Sequence, residues 1–201
     1  MKLNLKQSML IIACLIVGYS NILNAQSIYK IGASKSNDMK MSGTSTLHDW
    51  SMSAKNFTGA AEFSFKPGNN NELVAIKLLT FSLPVANLKS GEAGLDKNAW
   101  KALKSDQYKQ IVYQLISATV TPDKDNKYLL KTRGNLTITG VTKEISMQVY
   151  GAVSKDGELV SFNGTYKLNM TDYGIKRPTF MLGAMKTGDA LTFNFTAVYE
   201  K

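Results

Sequence analysis

From Ile28 to the C-terminus, apolar and polar side chains alternate with a period of two. Turn residues break the alternation roughly every 10 to 15 positions, the rhythm of an all-β barrel or sandwich. The clearest stretch is Tyr128–Thr139. Tyr128, Leu130, Thr132, Gly134, Leu136 and Ile138 share one face, and Lys131, Arg133, Asn135 and Thr137 share the other. The same pattern recurs in Phe57, Gly59, Ala61, Phe63 and Phe65, then in Ile145, Met147 and Val149. It returns in Val160, Phe162, Tyr166 and Leu168, and last in Leu191, Phe193, Phe195, Ala197 and Tyr199. Because successive strand side chains point to opposite faces, each of these strands has one apolar and one mostly polar side. Further long strands are expected over about 72–85 and 109–120.

The connections carry turn chemistry. Pro67-Gly68-Asn69-Asn70-Asn71, Pro122-Asp123-Lys124-Asp125-Asn126, Thr139-Gly140 and Asp156-Gly157 each separate two alternating runs. Links this short join antiparallel neighbours, since parallel strands need a long crossover. Asp156-Gly157 is the strongest hairpin signal. One segment leaves the β rhythm: Leu95, Ala99, Trp100 and Leu103 fall at helical spacing, with Asp96 able to cap the start of a short helix over about 95–104. A second irregular loop is expected over about 172–189. About eight long strands with a consistently apolar face call for closure. An eight-stranded antiparallel barrel removes sheet edges and leaves an interior that can hold one small ligand. The aromatics lie mid-strand rather than in two girdles, which places the apolar face inward and argues against a membrane barrel.

The first 25 residues follow a different plan. Lys2 and Lys6 precede the apolar run Met9–Val17, and Leu23-Asn24-Ala25 offers a small-residue cleavage site, the layout of a signal peptide. That run falls well short of the ~20 residues needed to span a bilayer. Residues 1–25 are therefore read as a leader and 26–201 as one domain of an exported protein. Lipid attachment at Cys14 is disfavoured, because few apolar residues precede it and the run continues past it. Cleavage after Ala25 removes Cys14, the only cysteine. A core of this length can be built without disulfides.

The chain carries 24 Lys+Arg against 15 Asp+Glu, a formal net charge of +9. Only Arg133 and Arg177 are arginines, and the lysines are scattered along strands and turns. Nucleic-acid binders cluster their basic groups and lean on arginine, so no nucleic-acid partner is expected. A transient attraction to anionic membrane surfaces is compatible with the charge. His48, the only histidine, neighbours Asp49, and on a strand the two side chains would face opposite ways. No second histidine or cysteine is available after the leader for a metal site, no nucleophile elbow appears, and glycine-rich phosphate loops are missing. Neither a catalytic residue nor a catalytic cofactor nor a metal is expected.

Four stretches together resemble the YceI-like family of lipid- and polyisoprenoid-binding proteins. They are Ser45–Trp50, Phe81–Val85, Gly134–Thr142 and Leu168–Thr179. The resemblance implies a lipocalin-like eight-stranded barrel in a bacterial periplasm, with an isoprenoid chain inside; a homodimer enters by resemblance alone. The match departs over Gly91–Leu103, where the family's Asp and His-Leu pattern is replaced by a stretch with Trp100 and no histidine. The expected ligand is an isoprenoid quinone, polyprenoid or fatty-acid-like lipid, held by burial without covalent chemistry. Candidate ligand-binding residues are Trp50, Phe63, Phe65, Phe81, Trp100, Leu103, Leu130, Leu136, Ile138, Phe162, Tyr166, Phe193 and Phe195. Small inward residues such as Gly59, Gly134 and Gly164 are expected to leave room for the chain. His48, Tyr173 and Arg177 are the head-group candidates. Two rivals remain open: a filled scaffold that binds a partner protein through its Lys-rich surface, and an enzyme acting on a lipid.

Overall fold

The computed structural model describes residues 28–180 and 185–201. The expected leader, its cleavage site and Cys14 lie outside the described residues. Eleven strands are present among those described: β1 (Ile28–Ile31), β2 (Asp38–Ser45), β3 (Trp50–Ala54), β4 (Thr58–Lys66), β5 (Asn69–Pro84), β6 (Gln110–Pro122), β7 (Lys127–Ile138), β8 (Val141–Val153), β9 (Leu159–Asn169), β10 (Thr179–Phe180) and β11 (Met185–Glu200). All the pairings are antiparallel. The order β1-β4-β5-β6-β7-β8-β9-β11, closed by a β1–β11 pairing, makes a ring of eight strands. The expected barrel is what forms.

The ring is seamed by β11. One of its edges runs along β9, while the other meets β2 up to Thr196 and β1 from Tyr199. β2 and β3 thus extend β1 and β4 past a break at 32–37. Asn37, 2% exposed, staples that break: its Nδ2 donates to the Gly32 carbonyl at 2.7 Å, and its Oδ1 accepts from Val198 N at 2.8 Å. A buried amide is tolerated here because both its ends are satisfied. Two ladders stop short. β5 and β6 pair only over Thr80–Pro84 and Gln110–Gln114, beyond which Lys77 and Ile116 are bulged against their other neighbours. β8 and β9 pair only over Val149–Val153 and Leu159's neighbours Val160–Gly164. Bulges bend strands and raise twist, which opens one ladder without breaking the next.

Inward positions match the alternation read from the sequence. Leu130, Val160, Leu83 and Ala61 are 0% exposed, while Lys131, Arg133, Ser146 and Lys167 face solvent. The helix, α1, spans Ala93–Ala102, two residues ahead of expectation at each end. Asp96 does not cap its start. It lies in the first turn and reaches back, accepting from Ser90 N and Ser90 Oγ, each at 2.7 Å. The irregular loop is shorter than expected, because β11 begins at Met185 and Thr179–Phe180 pair with it. A one-turn 3-10 helix at Met170–Tyr173 precedes that strand.

Candidate functional site

Two apolar chambers lie in series along the barrel. The inner one, about 130 Å³, is enclosed by inward side chains of β2, β5, β6, β7, β8, β9 and β11. Of the candidates named from the sequence, Phe81, Leu130, Leu136, Ile138, Phe162, Tyr166, Phe193 and Phe195 line it. So do Tyr113 and Leu115 of β6, Leu79 of β5, Met147 of β8 and Met39 of β2, which the sequence reading did not single out. Their signal was present as Ile111-Tyr113-Leu115 and Met39-Met41-Gly43, alternations interrupted by a bulge or by the 32–37 break. The lining contains no Lys, Arg, His, Asp or Glu among the described residues.

The outer chamber, about 200 Å³, sits between α1, the β2–β3 hairpin and the segment that follows β9. Leu95 and Ala99 come from α1 and Leu103 from the residue that follows it, Met41 and Trp50 from the hairpin, Met170, Ile175 and Leu191 from the far side. Ser45, His48, Glu92 and Asn98 make its polar fringe. Gly43 is required beneath Trp50, since a Cβ there would stand 2.5 Å from the indole Cζ2. The indole Nε1 donates to the Thr44 carbonyl at 3.1 Å, which fixes the ring over the chamber. The chambers abut. On β2 and β11, and where β9 runs into the 3-10 turn, residues two apart line one and then the other: Met39 and Met41, Phe193 and Leu191, Leu168 and Met170. From Leu191 to Tyr199 the apolar lining runs roughly 20 Å along the barrel axis, at ~3.3 Å per residue and an ordinary strand tilt.

Several expected site residues lie elsewhere. Phe63 and Phe65 line neither chamber. Phe63 packs with Tyr29 at 4.9 Å, Phe162 at 5.8 Å and Tyr199 at 6.2 Å, an aromatic plug at the end opposite α1. Edge-to-face packing of this kind fills the barrel more favourably than an empty tunnel would. Trp100 lies on the flank of α1, donating to the Leu88 carbonyl at 3.1 Å beneath the Lys89 ammonium, 4.0 Å from its ring. Tyr173 is buried outside both linings, and Arg177 is exposed on the loop near Asp189. The small residues are not empty space either. Tyr113 occupies the room over Gly134, Phe195 that over Gly164, and Tyr199 and Ile31 that over Gly59.

His48 lies in the β2–β3 turn and not on a strand. Its Nδ1 is 2.8 Å from the Asp49 carbonyl, so in the neutral ring Nδ1 carries the proton and Nε2 is the acceptor. The polar side-chain groups that line the inner chamber are hydroxyls. Thr132 Oγ1 donates to the Met147 carbonyl at 3.3 Å, and Tyr199 Oη donates to the Thr80 carbonyl at 2.9 Å. Tyr113 Oη is fully shielded, with the Thr132 hydroxyl beside it as a hydrogen-bonding neighbour. Burial raises the Tyr113 phenol against a smaller lowering by the Thr132 hydroxyl; burial and then the neighbouring Tyr113 raise that of Tyr199. Tyr173 is pushed up to about 12 by burial and by Tyr166 and Asp172. These phenols stay neutral near pH 7 and can only hydrogen-bond. Among the described residues no group of three or more His, Cys, Asp and Glu gathers to hold a metal.

A closed antiparallel barrel with an apolar interior opening at a helix-covered end defines the lipocalin-like class of folds. More narrowly, the chain belongs to the YceI-like domain family, whose model matches residues 29–199. A UPF0312 protein of Pseudomonas putida is 33% identical over 104 residues, 50% of this chain and 53% of that protein. The chain thus spans about half the length of the curated relatives it matches. Among solved structures, a polyisoprenoid binding domain from Saccharophagus degradans, implicated in plant cell wall breakdown, aligns with a TM-score of 0.62 at 11% identity. That alignment covers 86% of this chain and 97% of the other. BcnA of Burkholderia cenocepacia aligns with a TM-score of 0.60 at 17% identity, over 84% and 98%. The YCEI protein of Campylobacter jejuni gives 0.52 at 21%, over 71% and 81%. At these identities the likeness is one of fold.

Proposed function

We propose that this protein sequesters or carries one long apolar ligand, an isoprenoid quinone, polyprenoid or similar lipid, along its two chambers. The observation that carries this reading is the pair of neighbouring apolar chambers, the inner one lined among the described residues by no Lys, Arg, His, Asp or Glu. Burying about 300 Å² of hydrocarbon there contributes roughly 7 kcal/mol before association costs. Binding therefore rests on burial, with no covalent step. Family membership supports the reading, as does the polyisoprenoid binding of the Saccharophagus domain. The leader-like residues 1–25 support a periplasmic setting, where a lipid crossing water needs a carrier. Of the polar candidates, His48 alone borders a chamber, and it meets whatever part of the ligand emerges at the rim.

The test is mass spectrometry of an organic extract from protein purified natively from its own host. A stoichiometric prenylated or acylated species is expected. It should be lost in Phe193→Glu, which puts a carboxylate into the inner chamber, provided the variant keeps wild-type circular dichroism. Folded protein with no co-purifying lipid and no uptake of added quinone or prenyl alcohol would replace the carrier by a ligand-free scaffold with a Lys-rich binding surface.

A further inference from the structure

The barrel wall is incomplete on one side. β5 and β6 pair over Thr80–Pro84 and Gln110–Gln114 and no further, yet β5 reaches back to Asn69 and β6 runs on to Pro122. Each keeps its other neighbour, β5 with β4 and β6 with β7, so the two strands part and leave a slot between them. Leu73 marks its far limit: the backbone N–H donates at 2.9 Å to the Tyr128 Oη of β7, a side chain where a closed ladder would offer a strand. Backbone groups left out of a ladder must meet water or a bound group. Leu79 of β5 and Leu115 of β6, the residues next past the ladder, line the inner chamber, so the slot borders it directly.

Proteins usually guard open strand edges with charged side chains or proline. Here three apolar ones stand at the edges. Val74, Leu78 and Ile116 are 56%, 46% and 46% exposed, three of the seven large apolar side chains exposed among the described residues. Single exposed apolar residues mean little, whereas a group around an opening marks contact with something apolar. Basic groups flank this patch: Lys77 on β5, and Lys131 and Arg133 on β7, opposite Thr119 and Ser117 of β6. Lys77 and Arg133 are also paired with Glu62 and Glu144. Apolar side chains flanked by basic ones suit an anionic lipid surface.

On the carrier reading, we propose that the lipid's chain enters and leaves sideways through the β5–β6 slot, which docks on a lipid bilayer by Val74, Leu78 and Ile116. The chain then passes from bilayer to chamber between two strands without crossing water. Helix α1 stays in place over the end of the barrel while the ligand exchanges through the wall.

The experiment follows geranylgeraniol from vesicles of phosphatidylcholine and phosphatidylglycerol into delipidated protein, by mass spectrometry of the separated protein over time. Leu78→Glu combined with Ile116→Glu puts charge at the mouth of the slot and leaves the chamber lining untouched. It should slow transfer about tenfold or more, about 1.4 kcal/mol on the barrier. The final bound share should not change, since entry and exit slow together. Leu159→Glu, an equally exposed position on the far side of the ring, should transfer as wild type does. Leu78→Cys combined with Ile116→Cys supplies a second closure. With the disulfide formed and confirmed by mass, exchange should be slow; after reduction it should return to the wild-type rate. Wild-type transfer by the glutamate pair, or equal rates in the bridged and reduced forms, would overturn the proposal. So would a wild-type dimer that the glutamate pair dissociates at unchanged transfer rate, which would make the patch a contact between copies. If wild type takes up no geranylgeraniol, from vesicles or added free, the carrier reading itself fails and the slot falls with it.

Discussion

Asp96 shows how a single side chain departs from its expected part. A carboxylate near a helix start suggests a cap, yet its oxygens turn back to Ser90 and toward Lys89, 3.9 Å away, pinning the loop that leads into α1. Burial alone would raise its pKa; the hydrogen bonds from Ser90 and the Lys89 charge outweigh that and lower it. A group lowered in the folded state stabilises above its unfolded value of 3.8 and loses that contribution as pH falls through the folded value. Asp96→Asn should therefore cost about 1–2 kcal/mol at pH 7 by urea denaturation. The gap to wild type should narrow as pH drops below 3.8. A gap independent of pH would mean that the charge is not what holds the loop.

Among the elements, the hairpins separate signal from geometry. Asp156-Gly157 reads as the tight turn, but only Gly157 has positive φ (75°), and the β8–β9 link is a wider loop tied by Ser154 and Asp156. The two-residue turn is Thr139-Gly140, with φ of 49° and 78°, the signs a type I′ turn requires. Threonine is a poor residue for that conformation. It is held there by its hydroxyl, which donates to the Tyr173 carbonyl across to the segment after β9. Gly140→Ala adds a Cβ 2.6 Å from the Tyr108 ring as well as positive-φ strain. A loss of about 1–3 kcal/mol is expected, read as a lower midpoint in urea with an unchanged slope. No change would show that the β7–β8 turn relaxes freely.

At the scale of the whole molecule, the proposed carrier role predicts that lipid occupancy raises stability, because a ligand that binds only the folded barrel stabilises it by mass action. At about 100 times Kd the gain is roughly 2.7 kcal/mol. For a domain of this size that is a Tm rise of about 5–10 °C on adding geranylgeraniol to delipidated protein, measured by calorimetry. A scaffold filled by its own side chains would show no shift. Tyr29, Phe63, Phe162 and Tyr199 pack ring against ring at the end opposite α1 and take up that part of the interior.

Strand parity was legible in the sequence because it is local. Whether Leu130, Phe162 or Phe195 points inward depends only on alternation within one strand, and the number of alternating runs set the eight-strand closure. Helix α1 was legible for the same reason, to within two residues. The division of inward side chains between plug and chamber was not. Phe63 and Phe195 have the same parity and the same chemistry. Yet Phe63 meets Tyr29 and Tyr199 from the two ends of the chain, while Phe195 lies over Gly164 beside open space. Gly134 reads as a vacancy until Tyr113 from the neighbouring strand lies across it. Filling a barrel depends on which residues face one another across it, and those pairings exist only once strands distant in sequence have closed into the ring.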